Sequence, residues 1–323
     1  MTRRRTAWVS VLSLLLVAVG TFVYIDARER VSIAYVTSGE TIVGQVGAVL
    51  RHTSMLQQNG IRPTFITTAS LGEFRRMSML ADVILTGEAD PAIRIGMGQR
   101  GRIVGTLGVG GKYGLVVPPG SKAQTVADLK GANIATTLGD SLQRWLIATC
   151  KEAGLREEDI TIEEYRPLLS EADPQVGALV IWEPILPTVI AKGFRQLKGD
   201  RYYTTVFFSE RFLLRREKAV DVMVSLKQAA WYVSQHHAEV NQWYREGEQM
   251  RIGDEALDAM SRGNELYTAS SPSSFSLRPD RADLTTRLSG DLEFLSTHGF
   301  VGPELTLDAL VDPAPATEAD RRF

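Results

Sequence analysis

Two short stretches carry the residue types from which a binding cleft can be built. Leu138-Gly139-Asp140-Ser141 leads from a strand into a helix, and Trp182-Glu183 stands at the end of another strand. The first N–H groups of a helix have no intrahelical partner and sit at the positive end of the helix dipole, so they can hold an anionic or polar ligand group. Asp140 offers a second reading of the same turn, because its own carboxylate can occupy those N–H groups as an N-cap. Trp182 can wall off a small ligand while Glu183 supplies a charge or an acceptor; the alternative is a tryptophan packed on the core beside a surface glutamate. Thr137, the last residue of the strand before the Gly-Asp-Ser turn, joins these as a candidate ligand contact.

Other chemistries find less support. The four histidines, His52, His236, His237 and His298, show no metal-ligand spacing, and no Gly-x-Ser-x-Gly elbow is present. The single Cys150 excludes an intrachain disulfide and any cysteine zinc site; its helical spacing with Leu142, Trp145, Leu146 and Ala153 reads as a small buried side chain. Gly108-Val109-Gly110-Gly111-Lys112-Tyr113 is no phosphate loop, since it lacks the four-residue spacer and the Ser or Thr after lysine. No cofactor is implied. The residues describe a ligand receptor, not a catalyst.

The elements that must position these groups alternate between strand and helix. Val31–Val36 alternates as a strand, and Ile42, Val46, Val49, Leu50 and Leu56 then recur at helical spacing as far as Asn59-Gly60. Pro63–Thr68 reads as a second strand, followed by a capping-box spacing at Ser70 and Glu73 before a helix through Met79. Thr125 and Asp128 cap a short helix ending at Lys130-Gly131; Asn133–Thr137 is a strand, and the helix from Ser141 ends at Gly154. Val176–Ile181 and Arg201–Phe208 are further strands, and a long helix spans about Glu217 to His236 with Val220, Met223, Leu226, Ala230 and Val233 on its buried stripe. Such alternation predicts a mostly parallel sheet with helices on both faces. The glycines Gly108, Gly110, Gly111 and Gly114 fit either a chain crossing between lobes or a plain loop. Around Ser270–Ser276 the sequence is polar and low in order, and the tail from Pro313 is expected to fray.

Composition bounds the class. At 323 residues, 44% hydrophobic, the chain exceeds one typical domain and has ample material for two lobes. A net charge of -2 gives no overall basic field for nucleic acid. Arg3, Arg4 and Arg5 precede an almost uncharged run from Ala7 to Ile25, closed by Asp26 and Arg28-Glu29. That run suits either a membrane anchor or, with cleavage near Ala18-Val19-Gly20, a signal peptide. In both cases the positive charge before it puts the bulk of the chain outside the cytoplasm. The triple arginine continues poorly as a twin-arginine signal, and no cysteine ends the run as a lipoprotein anchor would need.

Taken in order, Thr37-Ser38-Gly39, Gly87-Glu88-Ala89-Asp90, Thr125–Gly131, Gly139-Asp140-Ser141, Trp182-Glu183-Pro184 and the helix near Glu217–His236 resemble the type 2 solute-binding proteins of nitrate, sulfonate, taurine and thiamine-precursor transporters. The resemblance covers Val31 to about Gly247. It implies an α/β, two-lobed periplasmic-binding-protein-like fold, preceded here by the signal or transmembrane helix. The implied boundaries are 1–30 for that helix, 31–113 for the first part of lobe one, 114–202 for lobe two, 203–311 for the return to lobe one and 312–323 for a flexible tail. It further implies ligand contacts at Ser38 and Gly39 in the first-lobe loop and at Gly139 and Ser141 in the second lobe, with Trp182 and Glu183 at the far wall. The implied partners are a small-molecule ligand and an ABC transporter permease, at a periplasmic or other extracytoplasmic location. Asp140 departs from the family by disfavouring a simple oxyanion at that helix start, and Ser170–Pro174 lacks the usual Gly-x-x-Asp. Two other classes share the scaffold: an anchored sensor or accessory subunit, favoured if Ala7–Ile25 stays uncleaved, and a pyrimidine-synthase-like enzyme, whose cysteine-rich iron site one cysteine cannot supply.

Overall fold

Alternating strand and helix signals become a single mixed sheet covered by helices. In a computed structural model, residues 29–36, 41–68, 71–164, 176–248 and 252–323 are described. The run Ala7–Ile25, the loop with Ser38 and Gly39, Ser70 and the segment Ser170–Pro174 lie outside them. Among the described residues no helix is long and apolar enough to cross a membrane.

The strands are β1 (Arg30–Val36), β2 (Arg62–Thr68), β3 (Val83–Gly87), β4 (Gly101–Val117), β5 (Asn133–Thr136), β6 (Thr161–Glu164), β7 (Ala178–Trp182) and β8 (Arg195–Ser209). The longer helices are α1 (Thr41–His52), α2 (Leu71–Met77), α3 (Asp90–Gly96), α4 (Ser141–Glu152), α5 (Ile185–Ala191), α6 (Arg216–Gln235), α7 (His237–Glu248), α8 (Asp254–Arg262), α9 (Ala282–Thr297) and α10 (Ala314–Asp320).

Sheet order is β2-β1-β3-β8-β4-β7-β5-β6. β1 runs parallel to β2 and β3, β5 runs parallel to β6 and β7, and the antiparallel pair β4 and β8 lies between the two trios. With 17 residues at about 3.4 Å each, β4 extends roughly 58 Å, long enough to pass through both. Its start, Gly101–Thr106, pairs with the Thr205–Ser209 end of β8, whereas Gly111–Val117 pairs with Arg195–Tyr202. Two lobes result, one on each trio. Register shifts between Ile103 and Gly105, Thr106 and Val109, and Val109 and Gly111 gather where the lobes join, and Gly108 there has φ +87°, a left-handed conformation that glycine adopts without cost.

Each lobe buries apolar residues on both faces of its part of the sheet. Val31, Ile33 and Tyr35 of β1 pack with Val46, Val49 and Leu50 of α1 and with Met223, Leu226, Ala230 and Val233 of α6, the stripe expected for that helix. In lobe two, Leu115, Ile134 and Val180 pack with Trp145, Leu146 and Cys150 of α4, while Leu179, Ile181 and Val189 close the opposite face. α9 joins α3 over Ile103 and Tyr203, with Leu284, Leu288, Leu292 and Leu295 buried.

Of the two readings of the glycine-rich stretch around Lys112, the chain crossing between lobes is the one seen: the stretch lies inside β4, where β8 supplies its hydrogen bonds through the bulges. Two other expectations need correction. The strand expected from Arg201 starts at Arg195. Residues 312–323, expected as a flexible tail, contain α10, whose Ala316 and Ala319 are buried against the α6 side of lobe one and whose Asp320 pairs with the buried Lys227 at 2.6 Å.

Candidate functional site

Register fixes where the strand ends meet. Gly87 at the end of β3 pairs with Thr204, and Trp182 at the end of β7 pairs with Tyr113, itself opposite Asp200. Both ends therefore point toward the same short stretch of crossing strands. A small cavity lies there, with free space of about 10 Å³, room for roughly one water, walled by Thr41 and Gln45 at the start of α1, Tyr202 of β8, Glu183, Ser261 of α8 and Asn264 just after it.

Glu183 brings an acid to that cavity. It is 6% exposed. Its Oε2 accepts the Lys112 N–H at 3.0 Å, and its own N–H donates to the Lys112 carbonyl at 2.8 Å. Burial holds the carboxyl above the usual range, opposed by the Lys112 N–H. Opposite stands Gln45, whose Nε2 donates to Asn241 Oδ1 and Ser261 Oγ at 2.6 Å each and whose Oε1 accepts from the Tyr267 hydroxyl at 3.2 Å. Neither lysine nor arginine lines the cavity among the described residues. Sequence reasoning missed Gln45, Ser261 and Asn264. One signal was available: Gln45 is a polar residue on the buried Ile42-Val46-Val49 face of α1.

At the α4 start the amides already have partners. Asp140 Oδ1 accepts from the N–H groups of Leu142 at 2.9 Å and Gln143 at 3.3 Å, the N-cap reading of this residue. Gln143 turns back so that its Oε1 accepts the Gly139 N–H at 2.7 Å. Gly139 has φ +68°, and a Cβ there would stand 2.8 Å from the Phe300 ring, so the turn needs glycine on both counts. Ser141 Oγ donates to Asp291 Oδ2 of α9 at 3.4 Å. Burial pushes Asp140 up to about 7, against the pull of those two N–H groups and of Arg75.

Of the eight candidates named from sequence, Glu183 lines the cavity, and Gly139, Asp140 and Ser141 gather beneath α9 and Phe300. Trp182 is half-buried and packs against the lobe-two core. Thr137 Oγ1 is shielded from water and has no hydrogen-bond partner among the described residues, as is also true of Thr136 Oγ1. Ser38 and Gly39 lie outside the described residues, shortly before Thr41.

Between the cavity and the α4 start runs an ionic cluster that single-sequence reading did not find. Arg287 of α9 donates through Nε to both oxygens of Glu88 at 3.1 Å, and through Nη1 and Nη2 to Asp200 at 3.1 Å and the Tyr113 hydroxyl at 2.9 Å. Glu88, at the end of β3, also accepts the Tyr203 N–H at 3.1 Å. Burial and the neighbouring Asp291 raise Glu88 to about 7, while Arg287 pulls it down. Asp291 in turn binds Arg144 of α4 at 2.5 Å and is itself raised by burial. α9 therefore ties the end of β3 in lobe one to Tyr113, Asp200 and α4 in lobe two. Cys150, buried in the lobe-two core with its thiol pushed up to about 11 by that burial, takes no part.

No protein-family model matches this chain, and no curated protein matches it by sequence. Solved structures do match in shape. The periplasmic aliphatic sulphonate binding protein SsuA from Escherichia coli superposes with a TM-score of 0.71 at 16% identity, covering 88% of this chain and 92% of that one. The periplasmic nitrate-binding protein NrtA from Synechocystis PCC 6803 gives 0.72 at 14% identity over 91% and 89%. The fold is that of a two-lobed periplasmic binding protein. The desulfurization enzyme DSZB has it too, with a TM-score of 0.66 at 16% identity over 91% and 99%. At such identities the likeness carries the fold, and the ligand must be argued from the cavity.

Proposed function

We propose that this protein is an exported solute-binding receptor that closes its lobes on a small zwitterionic solute and serves an ABC-type transporter in the membrane. The observation that carries this reading is the lining of the small cavity, with the start of α1 on one side and the buried acid Glu183 on the other, which the lobes open to admit a solute. A helix start favours an anionic group and a buried carboxylate favours a protonated amine, so an amino sulfonate such as taurine satisfies both walls. Nitrate or a plain sulfonate leaves Glu183 without a donor from the ligand. Thr137, Trp182 and the loop carrying Ser38 and Gly39 are further proposed contacts, Thr137 because its hydroxyl has no partner among the described residues. The bulged stretch of β4 opposite Tyr202 and Tyr203 is the proposed hinge, which places lobe boundaries near 113 and 202 inside the crossing strands.

A thermal-shift panel tests the reading. Taurine should raise the melting temperature more than ethanesulfonate, nitrate or ethylamine, because only it engages both walls. The same solute should shrink the scattering radius of the full chain. A panel in which nitrate or ethanesulfonate stabilises as strongly as taurine rejects the zwitterion, and one in which no solute acts removes the cavity as the site.

A further inference from the structure

One end of lobe one carries an unusual surface. Among the described residues eight large apolar side chains are exposed, and four of them, Met77 (48%), Leu80 (82%), Met97 (49%) and Leu214 (82%), lie at that end. Met77 ends α2, Met97 follows α3, Leu80 precedes β3 and Leu214 follows β8. In a parallel α/β layer helix ends and strand starts share an edge, here the edge opposite the cleft. Hydrogen bonds tie the edge into one patch. Arg211 Nη2 donates to the Leu80 carbonyl at 3.2 Å, the Glu210 N–H to the Arg100 carbonyl at 3.0 Å, and Arg215 Nη1 to the carbonyl of Arg30, the first residue of β1, at 3.0 Å. Arg76, Arg100, Arg211 and Arg216 are exposed on or beside the same elements; Arg100 lies 3.7 Å from Glu210 and Arg211 pairs with Asp82 at 2.7 Å, which leaves Arg76 and Arg216 as the cations without an acidic partner among the described residues.

The chain reaches this edge from the apolar run. Only Asp26, Ala27 and Arg28 separate Ile25 from Glu29, where the described structure starts, a reach of about 14 Å over four extended peptide steps. With Ala7–Ile25 in a bilayer, that leash keeps Glu29 and the adjoining Arg30 within a short reach of the headgroup layer, so the edge of lobe one that contains them is the part of the fold held nearest the lipid. A surface of apolar side chains flanked by arginines, two of them in ion pairs with Glu210 and Asp82, matches that setting: hydrocarbon enters the interface while guanidinium groups meet phosphate.

We propose that this edge is a membrane-facing foot, with Leu80, Leu214, Met77 and Met97 entering the interface and the arginines binding anionic headgroups of the leaflet from which Ala7–Ile25 emerges. The proposal rests on the exported, uncleaved form of the receptor and is independent of which solute the cavity takes. Because β1 runs from the foot to the cleft, its seven residues set the cleft about 23 Å above the foot, facing away from the lipid. That posture suits a tethered receptor whose far lobe moves freely.

The test uses the full chain reconstituted in vesicles of phosphatidylglycerol and phosphatidylcholine, with one spin label on Leu214→Cys and, in a second protein, on Ile190→Cys in lobe two. Cys150 is buried, so the unsubstituted chain reports background labelling. The label at 214 should be more accessible to lipid-soluble oxygen than to a water-soluble nickel chelate, and the label at 190 the reverse. Arg76→Glu with Arg100→Glu should reduce the oxygen preference at 214 while taurine stabilisation stays as in the parent. A 214 label as open to the nickel chelate as the 190 label overturns the foot. So does a 214 label shielded from both reagents, which means that a second protein copy covers the patch, and so does release of the chain from vesicles by alkaline carbonate.

Discussion

Both lobes send a helix away from the cleft, α1 from lobe one and α4 from lobe two, and the first residues of the two helices have different neighbours. Thr41 and Gln45 face the cavity, while the α4 start is filled by Asp140 and by Gln143 and roofed by α9 and Phe300. The same secondary-structure device is thus spent differently in the two lobes. At α1 Thr41 and Gln45 line the cavity; at α4 the dipole stabilises the protein and receives the inter-lobe tie through Ser141, Asp291 and Arg144.

The largest effect should come from removing that tie. Arg287→Met leaves buried Glu88 without its counter-charge, which should cost about 3 kcal/mol of stability in chemical denaturation. A loss below 1 kcal/mol would mean that α9 does not hold the lobes together as described.

A pH ramp sharpens the same point. Glu88 titrates near 7 in the folded protein against an ordinary 4.5, so between those values the folded form keeps a proton that the unfolded chain releases. Stability attributable to Glu88 should therefore fall as pH rises from about 4.5 to about 7, by on the order of 1–3 kcal/mol. Glu88→Gln should flatten that slope, and an unchanged slope would assign it elsewhere. Asp140, also raised to about 7, adds a slope of the same sign that the Glu88 variant leaves in place.

Much of this was legible from sequence because it is local. α6 follows from the spacing of Val220, Met223, Leu226, Ala230 and Val233, and the N-cap from Asp140 standing before an apolar stripe. What was not legible joins distant parts of the chain. Arg287 and Glu88 are 199 residues apart, and nothing near either announces the other. The tail read as frayed because Pro313, Pro315 and its charges suggest no core, yet α10 is held by Lys227, 93 residues from Asp320. The glycines around Lys112 read equally as a crossing between lobes or a loop, since β4 gains its strand character from β8. Gln45 was hidden for the same reason: its partners Asn241 and Ser261 come from α7 and α8, 196 and 216 residues away.

A smaller effect separates the two helix starts directly. Asp140→Ala removes the acceptor of two N–H groups and should cost about 1 kcal/mol, while Asp140→Asn keeps most of the cap. Solute affinity should barely change in either variant. If Asp140→Ala altered affinity as much as a change at Glu183, the ligand would belong at α4.

Calorimetric titration of taurine and ethanesulfonate into the parent and Glu183→Gln tests the central claim most directly. Losing a charge-assisted hydrogen bond of about 1.5–3 kcal/mol should weaken taurine by roughly tenfold or more, while ethanesulfonate, which offers Glu183 no donor, binds the variant at least as well as the parent. Equal taurine affinity for both proteins would contradict the account and remove Glu183 from the ligand's reach.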